Sequence, residues 1–180
     1  LAEHGAQVLG VEDSPRQLAK ARTAAPMDGV TIVEGVAQHL PAEEASADVV
    51  VFFNSLHHVP VESQTQALTE AARVLVKGGL LYISEPVAEG SFFEMVRPVD
   101  DETEVRAQAH AALLAAPGFS QEREFGYIHP VRHKDFESLR ERIISANSER
   151  ETIFAAKDAE LRQLFQRLGV PCDDSLCFDQ

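Results

Sequence analysis

Apolar and polar positions along the first half of the chain fall into short blocks that switch between a strand-like and a helix-like period. Residues 7–11 (QVLGV) form an apolar run closed by Glu12 and Asp13, the pattern of a buried strand. A helix start follows: Ser14 caps, Pro15 suits the first helical position, and Gln17 is placed to return the capping-box bond. Leu18, Ala21 and Ala25 then supply a small apolar face as far as Pro26. Residues 30–34 (VTIVE) predict a second strand. Residues 48–53 (DVVVFF) predict a third, apolar throughout as befits a strand covered on both faces. Residues 60–77 predict a helix with a core face of Ala67, Leu68, Ala71, Val74 and Leu75, ended by Gly78-Gly79. Residues 80–84 (LLYIS) predict a fourth strand, stopped by Glu85-Pro86. Strands alternating with helices over residues 7–85 imply an α/β fold with a mostly parallel sheet covered by helices on both sides.

The character changes after Pro86. Residues 87–98 read as a loop with a Phe92-Phe93 pair, and residues 101–116 as a helix stopped at Pro117-Gly118. Residues 124–132 (EFGYIHPVR) predict a strand in which Pro130 points to an edge position. Helices are predicted over 133–146 and 149–168, the latter with Ile153, Phe154, Leu161, Leu164, Phe165 and Leu168 at helical spacing. The closing SLCFDQ reads as the opening of a further strand, cut short. No linker-like stretch separates a second domain, so residues 1–180 are expected to form a single one.

Composition narrows the partners. The formal charge is −13, from 16 Lys+Arg against 29 Asp+Glu, which repels phosphate backbones and anionic lipid unless basic residues cluster. The densest basic stretch, residues 132–142, is interrupted by Asp135, Glu137 and Glu141. The expectation is therefore no nucleic acid and no membrane partner. No apolar run approaches the roughly 20 residues that cross a bilayer, and the first residues lack a signal-peptide pattern, so a cytoplasmic setting is expected. Cys172 and Cys177 have no further metal ligands at suitable spacing, so no metal site is expected; a disulfide is disfavoured in a reducing compartment, which leaves two ordinary thiols as the expectation.

Four segments carry the chemistry: VLGVEDSP, VEGVAQHLP, ADVVVFFNSLHHV and RVLVKGGLLYISEP. In order and spacing they resemble the class I S-adenosylmethionine-dependent methyltransferases, in particular the small-molecule, methyltransferase-11-like type with an LHHV-like segment after such a strand. The resemblance covers residues 1–86 and implies a Rossmann-like, doubly wound sheet with S-adenosylmethionine as cofactor. By that resemblance Glu12 occupies the place of the acid that takes the ribose hydroxyls, with Asp13 beside it. Val36, Ala37 and Gln38 fall where adenine is held, and Asn54 and Ser55 at the methionine end. His58 is the candidate general base for an acceptor hydroxyl or amine, ahead of His57. Residues 87–133 fall where such folds place a substrate lid, with Phe92, Phe93, Arg97, Tyr127, His129 and Arg132 as candidate acceptor contacts.

Two departures from the pattern stand out. Val36 replaces an acidic residue common at that position. The glycine-rich loop that follows the family's first strand is absent, and residues 1–5 (LAEHG) look like the tail of the helix after it. The first strand is thus expected to be missing from the middle of the sheet, which leaves two strand edges unpaired. The expectation is that N-terminal residues lie outside the sequence; otherwise the sheet closes on itself or a homodimer partner supplies a strand. The activity implied is methyl transfer to a small or medium-sized acceptor. The alternative is a non-catalytic, methyltransferase-like binding or assembly module that has lost cofactor binding. A nicotinamide-dependent oxidoreductase is a distant third, since no Tyr-x-x-x-Lys relay follows residues 48–53.

Overall fold

The computed structural model describes the backbone of residues 1–180 and every side chain but that of Ala146. After a single 3-10 turn, the order is strand β1 (Val8–Glu12), helix α1 (Pro15–Thr23), strands β2 (Val30–Glu34) and β3 (Ala47–Phe53), helix α2 (Val61–Val74) and strand β4 (Leu75–Ser84). Helices α3 (Gly90–Val96) and α4 (Thr103–Leu114) come next, then strand β5 (Pro130–His133). Helices α5 (Phe136–Ala146), α6 (Arg150–Ala156) and α7 (Asp158–Leu168) lead to strands β6 (Val170–Cys172) and β7 (Ser175–Asp179). These elements form two compact units, residues 1–85 with 109–120, and residues 86–108 with 121–180.

In the first unit all strand pairing is parallel, as the strand–helix alternation predicts. β1 pairs with β2 from Val8↔Val30 to Glu12↔Glu34, and β3 pairs with β4 from Ala47↔Leu75 to Phe53↔Ser84. The two pairs are separate sheets, and β1 is not bonded to β3. The Rossmann-like class is present with its parallel strands in two separate pairs. Helix α2 lays Ala67, Leu68, Ala71 and Val74 onto one face of the β3–β4 pair, where Phe52 and Leu56 complete the core. Burying a side chain such as Leu68 contributes about 1.5–3 kcal/mol, so this contact anchors the unit. Ala109 and the partly buried Leu113 and Phe119 pack onto the same cluster.

The second unit has a core of Met95, Val99, Phe136, Leu139, Ile143, Phe154, Leu161, Phe165 and Phe178. Its sheet is antiparallel in the order β5-β7-β6; of the strand expected over 124–132 only the part from Pro130 is present, at the sheet edge that Pro130 indicated. Strand β7, expected as a truncated opening, is paired on both sides. The helix expected over 149–168 breaks at Lys157, where φ is −115°. The helix expected to reach residue 77 ends at Val74, and Leu75 already pairs with Ala47 in the sheet. The two cysteines are joined as a Cys172–Cys177 disulfide across the β6–β7 hairpin, which corrects the expectation of two thiols. The turn at Asp173-Asp174 brings two residues only five apart face to face, a proximity that spacing alone does not reveal.

Candidate functional site

Parallel strands present their carboxyl ends on one edge, the edge at which open α/β sheets hold ligands. On β1 and β2 that edge carries the in-register acids Glu12 and Glu34, followed by Asp13 and Gly35. A cleft of about 300 Å³ opens there, lined by Asp13, Glu34, Gly35, Val36, His39 and Pro41. Its rim is acidic and its wall apolar. Of the residues singled out from sequence, Asp13 and Val36 line it. Glu12 ends the adjoining strand, and its Oε1 accepts the Ser14 N–H at 2.8 Å. That charged acceptor takes the bond expected from Gln17, while Ser14 Oγ accepts from the Gln17 N–H at 3.4 Å. Ala37 packs instead against the α2 core, and the Gln38 carbonyl accepts from Gln66 Nε2 at 3.1 Å.

The far wall of the cleft is fixed by a clasp from α2. Arg73 donates to the carbonyls of Ala42 (3.0 Å) and Leu40 (3.1 Å) and to both oxygens of Glu70 (2.8 Å). Glu70 Oε2 accepts the Leu40 N–H at 3.0 Å. The Arg73 guanidinium holds the Glu70 carboxyl below its ordinary value. Residues 40–42, with Pro41 facing the cleft, are thereby tied to a helix rather than left as a loose loop.

On β3 and β4 the same edge carries Asn54, Ser55 and Glu85. Asn54 has φ +50°, a left-handed conformation that costs a residue other than glycine about 1–3 kcal/mol and persists only where neighbours enforce it. Its N–H is held by the Ser84 carbonyl at 2.8 Å. The next residues form a single 3-10 turn over Leu56–His58. Glu85 Oε1 accepts from the N–H groups of Ser55 (2.9 Å) and Leu56 (2.8 Å), and Glu85 Oε2 pairs with His57 Nδ1. Burial alone pushes the Glu85 carboxyl up, but the His57 imidazole and the two N–H groups outweigh it and hold it below the ordinary carboxylate range. His57 is 6% exposed, whereas His58 is exposed with its ring 4.0 Å from that of His57.

The candidate acceptor contacts scatter within the second unit. Phe93 is buried under the Arg106 guanidinium, and Phe92 stacks on His133. Arg132 pairs with Asp173, and the His129 backbone bonds that of Gln180. Tyr127 is exposed beside Phe125. A larger concavity of about 440 Å³ lies between the start of α5, α7 and the β6–β7 turn. Its wall cation Arg162 is already engaged by Asp158 and Glu137, and the acids beside it, Asp173 and Asp174, are exposed turn residues. The smaller cleft is the one with ligand-site topology.

Sequence reasoning passed over Glu34, His39, Pro41 and Glu85. The signal for Glu85 was present. It ends a parallel strand beside Asn54 and so shares the ligand edge, but with Pro86 it read as a strand stop.

The first unit is thus a parallel α/β segment of Rossmann-like class with an acid-rimmed cleft at its strand ends. Residues 1–83 match the methyltransferase domain family. The 2-methyl-6-phytyl-1,4-hydroquinone methyltransferase 1 of Oryza sativa subsp. japonica is 36% identical over 77 residues, 43% of this chain and 23% of the relative. A Mycolicibacterium smegmatis protein named as an S-adenosylmethionine-dependent methyltransferase is 30% identical over 131 residues, 72% of this chain and 49% of the relative. The YcgJ protein of Bacillus subtilis shares the fold with a TM-score of 0.52 at 19% identity, over 95% of this chain and 78% of that one. Residues 1–83 are thus similar to methyltransferase domains, among them proteins named as S-adenosylmethionine-dependent. The chain spans at most about half the length of the curated relatives it matches.

Proposed function

We propose that the protein transfers a methyl group from S-adenosylmethionine to a small or medium-sized acceptor. The reading rests on one observation above the others: the acid-rimmed cleft lies at the carboxyl ends of parallel strands, in the segment that matches the methyltransferase family. Carboxylates there accept hydrogen bonds from vicinal ribose hydroxyls, the role assigned to Glu12 and Asp13. With its Oε1 engaged by Ser14, Glu12 takes a hydroxyl on its other oxygen. Val36, Ala37 and Gln38 form the adenine side. Val36 contributes an apolar contact in place of an acid, so ring-edge recognition falls to the backbone and to Gln38. Asn54 and Ser55 face the methionine end.

When bound, S-adenosylmethionine would supply an electrophilic methyl group on a sulfonium centre. The chain's own residues then have two tasks. They orient the acceptor and exclude water, which supplies much of the rate when the acceptor is already nucleophilic. For a hydroxyl acceptor His58 takes the proton as general base. Residues 87–133 serve as the acceptor-side lid of the methyltransferase domain that residues 1–180 are proposed to form. A cytoplasmic setting and a homodimer are parts of the same proposal. The first stands against the Cys172–Cys177 disulfide, since glutathione-level reductant would hold both as thiols, and thiol trapping in cells tests it; sedimentation tests the second.

Radiolabelled methyl transfer to a panel of hydroquinones, phenols and amines tests the activity. A labelled product with wild type, reduced about 100-fold by His58→Ala for hydroxyl acceptors only, is the expected result. A folded chain that gives no product and does not bind the cofactor favours the second reading, a non-catalytic module that has lost cofactor binding. Val36 and the divided sheet are the observations on its side.

A further inference from the structure

The Glu85 carboxylate does more than end a strand. It lies at the carboxyl end of β4, where it takes three donors from one five-residue stretch of the neighbouring strand's exit. These are the N–H of Ser55 at 2.9 Å, the N–H of Leu56 at 2.8 Å, and Nδ1 of the buried His57. The stretch it holds begins with Asn54 in a left-handed conformation, which asparagine accepts more readily than most residues other than glycine. The far end of the stretch is held too: the buried Gln64 donates from Nε2 to the Val59 carbonyl at 3.3 Å. Without the carboxylate, two buried-side N–H groups and an imidazole N–H lose their acceptor together.

We infer that Glu85 is a positioning residue, a clamp that fixes the turn of residues 54–58 in a single conformation and sets the tautomer of His57 with its proton on Nδ1. The clamp is a feature of the chain itself. Its consequence for ligands rests on the proposed function, because the turn it fixes carries Asn54, Ser55 and His58. A charged acceptor is required. Glutamine at 85 keeps one carbonyl oxygen for the Ser55 and Leu56 N–H groups but turns an amide nitrogen toward His57 Nδ1, so the ring must move its proton to Nε2 or turn away. His57→Asn retains a donor at the same distance from the backbone, and His57→Ala removes it.

Two readouts on the full 180-residue chain separate the clamp from the function built on it. Nitrogen-15 NMR of the imidazole reports the tautomer without any ligand. The expected result is His57 protonated on Nδ1 in wild type, with slow exchange of the Ser55 and Leu56 amides, and loss of both in Glu85→Gln at an unchanged global fold. S-adenosylhomocysteine affinity, read by calorimetry, is expected to fall about tenfold in Glu85→Gln and His57→Ala and to stay within twofold in His57→Asn. Should Glu85→Gln fail to fold, the His57 pair of variants carries the test alone. A wild-type His57 protonated on Nε2, or a Glu85→Gln chain with the wild-type tautomer and amide exchange, overturns the clamp. A wild type with the expected tautomer and no affinity for the nucleoside refutes the proposed function and leaves the clamp standing.

Discussion

A β-carbon placed on Gly35 would lie 2.9 Å from Val11 Cγ1 and 3.2 Å from Pro41 Cδ, closer than packed atoms tolerate. The wall of the cleft therefore depends on glycine at this position, for lack of space rather than for backbone freedom. Gly35→Ala is predicted to cost about 1–3 kcal/mol by overpacking, read as a lowered thermal midpoint, and to weaken nucleoside binding by displacing Pro41. An unchanged midpoint and affinity would refute the packing argument. His133 gives a second prediction. It is buried between Phe92 and Phe178, and its Nε2 has no partner among the described residues. Burial pushes its pKa below the ordinary value, and Arg142 adds to the effect. The unfolded chain takes up this proton near the ordinary value of about 6.5 while the folded chain resists it. Stability is thus full above that value and falls as the pH drops through it. The predicted outcome is a thermal midpoint that declines from pH 7 to pH 5.5, with a shallower decline in His133→Phe.

Helix α5 is held by an N-terminal box in which Asp135 accepts the Ser138 N–H at 2.8 Å and Ser138 Oγ takes the Asp135 N–H at 3.2 Å. Asp135→Ala is predicted to cost about 1 kcal/mol, measurable by urea unfolding, and a cost below a few tenths would contradict the capping argument. The β6–β7 hairpin closes a short covalent loop, so reduction is predicted to lower the stability of its unit by about 2 kcal/mol. Comparison of denaturation with and without dithiothreitol tests that figure. The elements show what was legible from sequence and what was not. Strands β1 to β4 and helices α1 and α2 stood out because period and turn chemistry agree in residues 7–84. The end of α2 did not, because Val74-Leu75-Val76 is as apolar on a helix as on a strand, and pairing with Ala47 decides it. The break at Lys157 lay hidden because Ile153, Phe154, Leu161 and Leu164 keep helical spacing across it. The disulfide is set aside at the level of sequence because a reducing compartment is expected, whereas the Glu85–His57 pair is invisible there because it depends on a turn that brings distant residues together in space.

At the scale of the molecule, the divided parallel sheet is the dominant feature. On β3 and β4 the paired residues Val49↔Leu80 and Val51↔Tyr82 share the face opposite α2 with Phe53, and all five are exposed, Phe53 at 61%. An apolar sheet face of this kind in the 180-residue chain is predicted to bind an environment-sensitive apolar dye, and Val51→Lys with Leu80→Lys to abolish most of that signal. Fluorescence from the double variant equal to wild type would place the apolar surface elsewhere. The strand-end edge, by contrast, is ordered by its own bonds: Glu12 to Ser14, Arg73 to residues 40–42, and Glu85 to residues 55–57. A site built that way should bind the nucleoside even though the sheet is in two pieces. Calorimetric titration of the folded 180-residue chain with S-adenosylhomocysteine tests this most directly. The account predicts one binding site of micromolar affinity, weakened at least tenfold by Glu12→Ala. A folded chain that gives no binding heat at millimolar ligand, across temperatures, would contradict it.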